Sequence, residues 1–439
     1  MTRSFSSEVA GFDTRESAPG ATLHIRRESR RKTSSLRVSW ISDLGDGAAL
    51  RCLVPACLLR GSESHPSLRE ISRRSEELWG LVLSASVDRA GQRHIISLRA
   101  EFPEDSRLPG DAKVLGDAVD FIREMIHQPL LSDGLFCSQT VSTEVAQHRR
   151  TIEGRFDDKR SWAMQRCVEE TCSGEPWRYH EYGTIDELEL ATPQSVTTAW
   201  RQSIEKHPMY VHFSGEVDPD EVAEVLLPLT AGRDRDVTAL APRHPRRGAG
   251  QLREVEEQFE GNQANLVISL RTNTGHGDPL HEAMMIANGV LGGFSHSRLF
   301  SQVREKQSLC YSINSHIDGS AGLMLVSAGI DGDAASRTRE SIFEQIDVVK
   351  MGGFTDEEFQ MTIDSWDSRL RMATDSPAAM AEFDLVSRLV GRDPDIDQLR
   401  HRVAQVTREA VVEAAGLLQP DLVYLLAPRQ STDPDEEAS

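Results

Sequence analysis

Long apolar runs are missing from this chain. No stretch approaches the ~20 uninterrupted apolar residues that a spanning helix needs, which excludes a helical membrane protein. The segment Met1 to Gly20 is polar and has no basic region leading into an apolar one, so no secretory signal is expected. Cysteine is sparse, six residues in 439, and without export these are read as reduced thiols. The expected location is the cytoplasm. Basic residues are short as well, with 49 Lys and Arg against 69 Asp and Glu, a net charge of −20. Nucleic acid and an anionic membrane surface are excluded as main partners, because phosphate binding needs an excess of Lys and Arg on one face. Two basic islands, Arg26 to Lys32 and Arg243 to Arg247, read as a solvated strand lead-in and a linker.

What remains is ordinary globular material, 38% hydrophobic and 27% charged. At roughly 150 residues per domain the length allows two to four domains. Leu36, Val38 and Trp40 alternate with Arg37, Ser39 and Ile41, a strand with one mostly polar face. Leu50 to Leu59 is a compact apolar helix ending at Arg60-Gly61, and Leu68 to Leu78 is an amphipathic helix. Strands follow at Leu81 to Asp88 and His94 to Phe102, turning at Ala90-Gly91. Long helical stretches occupy Leu115 to Ile126 and Ser142 to Thr171, and Met209 to Ser214 is a short strand. Pro242, Pro245, Gly248 and Gly250 give the next segment linker chemistry.

The second half repeats the first. Gly61 and Gly289, Leu81 and Leu309, Ser84 and Ser312, and Gly91 and Gly319 are each separated by 228 residues. Both stretches read as apolar helix, glycine, amphipathic helix, strand, glycine turn, strand. A period this long is no solenoid and implies two copies of one domain. The expected fold is α+β: two homologous domains, each an antiparallel-rich sheet with helices packed on one face, forming half of a clamshell. The expected boundaries are a polar segment 1–22, domains 23–235 and 256–428, a linker 236–255 and an acidic tail 429–439.

The segment Leu291 to Tyr311, LGGFSHSRLFSQVREKQSLCY, resembles the C-terminal signature of the insulinase/pitrilysin metallopeptidases, the family that includes the mitochondrial processing peptidase. Gly261 to Arg271, GNQANLVISLR, is similar to that family's strand at the start of the second domain. Members that cleave peptides carry His-x-x-Glu-His on a helix of the first domain: two imidazoles bind zinc and the Glu is general base for its water. Anchored on Gly61, the resemblance puts Cys52 where the first His belongs, Pro55 where the Glu belongs and Ala56 where the second His belongs. The third ligand position, counted back from Asp157, is Thr151, while Glu144 matches the family's other Glu on that helix. Cys52 and Cys57, like Cys167 and Cys172, are five apart, which is not zinc-knuckle spacing, and His281-Glu282 and His180-Glu181 read as surface polar pairs. No metal ligand set is expected, and no cofactor; zinc is expected only in a partner.

The resemblance also maps the family's substrate-holding Arg and Tyr onto Arg304 and Tyr311, both present. Guanidinium and phenol can donate to a peptide carbonyl that is becoming an oxyanion. Some family members work as heterodimers in which one subunit holds zinc and the other supplies this pair. The sequence is thus identified as a degenerate, non-catalytic member. Its expected role is to bind an extended peptide, by pairing with a sheet edge, and to complete the site of a zinc-bearing peptidase subunit of the same family. The alternative is a peptide-binding or scaffold protein with no part in proteolysis.

Overall fold

The computed structural model describes residues 11–429, so the acidic tail from Thr432 lies outside the described residues. In chain order the strands and helices of the first half are β1 (Asp13–Ala18), β2 (Ala21–Arg27), β3 (Thr33–Asp43), α1 (Ala48–Leu58), α2 (Leu68–Glu77), β4 (Val82–Ala90), β5 (Arg93–Pro103), α3 (Leu115–His127), β6 (Leu131–Ser132), β7 (Leu135–Phe136), α4 (Ser138–Gly154), α5 (Lys159–Thr171), α6 (Ile185–Glu189), α7 (Pro193–Glu205), β8 (Met209–Gly215) and α8 (Pro219–Leu226). The second half adds β9 (Arg253–Phe259), β10 (Ala264–Arg271), α9 (His281–Asn288), β11 (Ser312–Asp318), β12 (Leu323–Ile330), α10 (Ala335–Lys350), α11 (Asp356–Thr374), α12 (Pro377–Leu389), α13 (Ile396–Ala404), α14 (Arg408–Gly416) and β13 (Gln419–Pro428).

Two sheets organise these elements. One has the order β1-β2-β8-β3-β5-β4 and the other β11-β12-β10-β13-β9. Without β1, the first sheet reads β2-β8-β3-β5-β4, which matches β9-β13-β10-β12-β11 strand for strand. The single parallel pair falls in the same place in each, β2 with β8 and β9 with β13. Even the turn entering the edge strand repeats: Trp79 and Gly80 hold φ of 60° and 81° before β4, and Ser308 holds 52° before β11. The duplication read from the 228-residue offset is therefore a structural one.

By contacts the chain divides into two compact units that are not contiguous in sequence. One comprises residues 11–153, 179–243 and 372–397; the other comprises 154–178, 244–371 and 398–429. Each half lends a helix to the other unit. The expected helix from Ser142 to Thr171 is broken at the 3-10 turn Arg155–Asp157, where Asp158 caps α5 by accepting from Ser161 N at 3.1 Å. The side chain of Asp158 competes for backbone N–H groups that a continuous helix would use. Beyond this break α5 belongs to the second unit, where Ala163 and Cys167 pack with Val267, Leu422, Tyr424 and Leu426. Helix α12, likewise, belongs to the first unit, where Leu385 and Leu389 pack with Ile41 and Ile95.

The period-2 pattern of β3 explains how both faces of that sheet are filled. Leu36, Val38 and Trp40 point into the main core with Leu53, Val54 and Leu58 of α1 and Phe121, Ile122 and Met125 of α3. The opposite face is polar yet buried, because α12 lies over it. Arg37 donates through Nε to Ser39 Oγ at 3.0 Å and Ser97 Oγ at 3.3 Å, and pairs with Glu382 of α12. On the same face His24 of β2 and His212 of β8 lie in register, stacked with centroids 4.5 Å apart. Polar side chains in a strand thus mark a helix landing here, not a solvated face.

Candidate functional site

The site positions read from the sequence fall into two groups, one in each unit. The first centres on α1. Glu187 of α6 accepts from Gly47 N at 2.9 Å and Ala49 N at 3.1 Å, so its carboxylate closes the N-terminal end of α1. The approach requires glycine at Gly183, where φ is +67° and an added Cβ would stand 2.4 Å from Ala49 N and 2.5 Å from Glu187 Oε2. Within the helix Cys52 and Pro55 are buried, Pro55 offering no N–H and no acid. Cys52 Sγ donates to the Glu181 carbonyl at 3.3 Å and lies 3.8 Å from His94 Nε2. His94 in turn donates from Nε2 to the same carbonyl at 2.8 Å, while its Nδ1 accepts from Arg51 Nε at 3.2 Å. Burial pushes the Cys52 thiol far up and pulls His94 down to about 3, so thiol and imidazole are both neutral. This is not a thiolate–imidazolium pair and has no nucleophile.

Thr151 is exposed on α4 and donates to its own helix at Gln147 O, 3.3 Å away. Glu144 is buried on the same helix and pairs with Arg60, one turn beyond Ala56. These residues do not fit zinc. Ala56 and Pro55 offer no donor atom, the one thiol is held protonated by burial, and Thr151 is turned to its own backbone. The Glu144 carboxylate on α4 is met by the Arg60 guanidinium.

The second group lies between α9 and β11. After α9 the backbone widens into π-helical turns over Gly289–Gly293 and Leu299–Lys306, a winding concentrated at functional segments. Gly292 in the first of these abuts β11, where an added Cβ would meet Ser315 Oγ at 2.7 Å and Ser315 N at 2.9 Å. Gly292 of the signature therefore serves close approach to the strand, while Gly293 lies against Asn288 at the end of α9. Arg304 stands exposed on the second π segment, its guanidinium 4.5 Å from the Phe300 ring, with no carboxylate partner among the described residues. A Leu309 N to Val303 O bond of 3.1 Å closes the connection, which delivers Tyr311 to the start of β11. Tyr311 is 60% exposed. Its hydroxyl donates to Asp331, at 2.8 Å from Oδ1 and 2.9 Å from Oδ2. That bond and the neighbouring negative charge raise the phenol above its ordinary range.

Sequence reasoning missed Asp331, His94 and Arg60. Hairpin register contains the first of these, since Ser312 pairs with Gly329 and so places Tyr311 near the residues that follow β12. It also took His281 for a surface group, whereas His281 is buried against His276 at 4.5 Å between rings.

His24, His212 and Asp384 form a third cluster, with metal-type donor atoms within 4.8 Å of one another. Its oxygen is already saturated. Asp384 Oδ2 accepts from His212 Nε2 at 3.0 Å and Arg388 Nε at 2.8 Å and lies 3.1 Å from His24 Nδ1. A divalent cation there would sit beside the Arg388 guanidinium. The arrangement is a buried polar clasp that pins α12 to the sheet.

With the geometry in place, the comparisons bear on it directly. The family model matching residues 191–365 is described as the peptidase M16 inactive domain. The "probable inactive metalloprotease YmfF" of Bacillus subtilis is 28% identical over 408 residues, 93% of this chain and 96% of that protein. Over residues 191–365 the chain thus resembles the M16 peptidases. Two crystal structures share the fold: a conserved protein from Enterococcus faecalis, with TM-score 0.87 and 24% identity over 96% of this chain and 100% of that one, and an M16 inactive-domain protein from Pseudomonas fluorescens, with TM-score 0.76 and 16% identity over 96% and 99%. M16 is the insulinase/pitrilysin family of the signature at Leu291 to Tyr311. Among the described residues no helix is long and apolar enough to cross a membrane.

Proposed function

We propose that this M16-like protein is a non-catalytic subunit that binds an extended peptide and completes the active site of a zinc-bearing partner of its own family. One observation carries the reading: Arg304 is exposed on a π-wound segment with no carboxylate partner among the described residues, in a chain whose α1 and α4 positions do not fit zinc. An exposed guanidinium without a partner is available to a peptide carbonyl, and most strongly so as that oxygen gains charge. Tyr311 supplies a second polar contact to the peptide backbone. Two family facts favour the reading: the matched model is described as an inactive domain, and the Bacillus subtilis relative is named a probable inactive metalloprotease. Zinc belongs to the partner. Six cysteines in 439 residues fit a reducing compartment, and the cytoplasm is the proposed location.

Assembly tests the reading. Mixed with a zinc-bearing M16 protein from the same cell, the chain is expected to sediment as a one-to-one complex at micromolar concentration. Two species sedimenting independently would count against it.

A further inference from the structure

We propose that Asp331 is a positioning residue for Tyr311: it accepts the phenol's only proton, so that Tyr311 meets a peptide as a hydrogen-bond acceptor for a backbone N–H, and not as a donor. The inference rests on the proposed peptide-binding role and assigns the chemistry of that contact. Three observations support it.

Both Asp331 oxygens lie within 2.9 Å of the Tyr311 hydroxyl. A tyrosine hydroxyl has one hydrogen to give, and a carboxylate can only accept, so the direction of this bond is fixed. What the phenol oxygen still offers outward is its lone pairs.

Asp331 also forgoes a competing role. It occupies the N-cap of the 3-10 turn Gly332–Ala334 that leads into α10, with extended backbone at φ −73° and ψ 146°. Asp at such a position ordinarily accepts a backbone N–H from the first turn, a contact whose loss costs about 1 kcal/mol. Here no side-chain cap bond forms. The carboxylate is turned to the tyrosine instead.

The ring, finally, is not there to fill a core. Tyr311 is 60% exposed, and its backbone N–H is spent on Gly329 O at 2.9 Å, which fixes the start of β11 against the end of β12. Backbone pairing and the Asp331 bond thus hold both ends of a side chain that faces solvent. Arg304 and Tyr311 then differ in role: the guanidinium donates to a peptide carbonyl, and the phenol oxygen accepts from a peptide N–H. Neighbouring peptide groups of an extended chain present one of each.

The test has two arms, both on the full-length chain. The chain has five tyrosines, so the tyrosinate absorbance of wild type minus that of Tyr311→Phe isolates the Tyr311 step. That step is expected above the ordinary tyrosine value of about 10, and Asp331→Asn is expected to bring it down. A Tyr311 step at the ordinary value, unmoved by Asp331→Asn, overturns the proposal whatever the chain's function. In the second arm the probe is a fluorescently labelled unfolded fragment of β-casein. Asp331→Asn is expected to weaken its binding about 5- to 10-fold, and to have no further effect in the Tyr311→Phe background. An equal loss in that background means that Asp331 acts without Tyr311 and overturns the proposal. A wild-type chain that does not bind the probe counts against the proposed function, and the titration then decides the Asp331 assignment by itself.

Discussion

Replacing Arg304 with Leu and Tyr311 with Phe is expected to cut peptide turnover by the assembled heterodimer about 10²–10³-fold, the usual cost of losing a donor aimed at a developing oxyanion. The loss should divide between the two residues. Arg304→Leu alone removes an interaction that strengthens as the carbonyl oxygen gains charge, so it lowers kcat. Tyr311→Phe removes a contact made equally to bound substrate and transition state, and so raises KM with kcat largely kept. Folding and assembly should survive, since Arg304 is exposed over the Phe300 ring and Tyr311 is mostly in solvent. The measurement is steady-state cleavage by wild-type and variant complexes, with dimer content fixed by sedimentation. Undiminished turnover in a fully assembled double variant would leave these side chains no part in catalysis.

Acidification is expected to unfold the protein steeply between the ordinary imidazole value of 6.5 and about 4. Burial holds three imidazoles neutral, pulling His94 to about 3, His207 to about 4 and His212 to about 4. In the unfolded chain each takes up a proton near 6.5, so below that pH the unfolded state binds more protons and stability falls as pH falls. With three such groups the slope approaches ~4 kcal/mol per pH unit near the middle of the window, against a total stability of about 5–15 kcal/mol. Asp384 adds to the same trend. Burial alone would raise its carboxyl, but hydrogen bonds from His212, His24 and Arg388 outweigh that and hold it far below the carboxylate range. Its contribution is present above the ordinary Asp value of about 3.9 and is lost below it. At neutral pH Asp384→Ala should cost about 3–5 kcal/mol, since it leaves the Arg388 charge and two buried imidazoles without their acceptor. Urea midpoints followed by circular dichroism at stepped pH read both effects. Midpoints that stay flat from neutral pH to below 6 would remove the buried imidazoles as the source of acid sensitivity.

Local pattern carried much of the fold. The alternation at Leu36, Val38 and Trp40, and the apolar run ending at Arg60-Gly61, are consequences of periods 2 and 3.6 and were readable as β3 and α1. Duplication was readable because each half had to bury the same elements in the same order. The exchange of α5 and α12 was not. Which sheet an amphipathic helix covers is decided by chain path, and α12 is tied to β2, β3 and β8 by residues more than 150 positions away, such as His212. What covers the polar face of β3 was not readable for the same reason, since Arg37, Ser39 and Ser97 satisfy one another under a helix that the strand pattern does not contain. At the degenerate metal site, Pro55 and Ala56 could be read as chemically empty from their identity alone. The contacts around these positions could not: Arg60, just past α1, meets Glu144 of α4 from 84 positions away, and His94 of β5 reaches Cys52 of α1. The π winding that presents Arg304 also escaped, because sequence propensity does not separate α from π turns.

Cleavage of an unfolded casein fragment by three preparations tests the central claim most directly: this chain alone, a zinc-bearing M16 subunit from the same cell alone, and the two mixed. The account predicts turnover in the mixture at least about 10²-fold above the zinc-bearing subunit by itself, and none from this chain alone. A mixture no faster than the zinc-bearing subunit, or zinc-dependent cleavage by this chain alone, would contradict it.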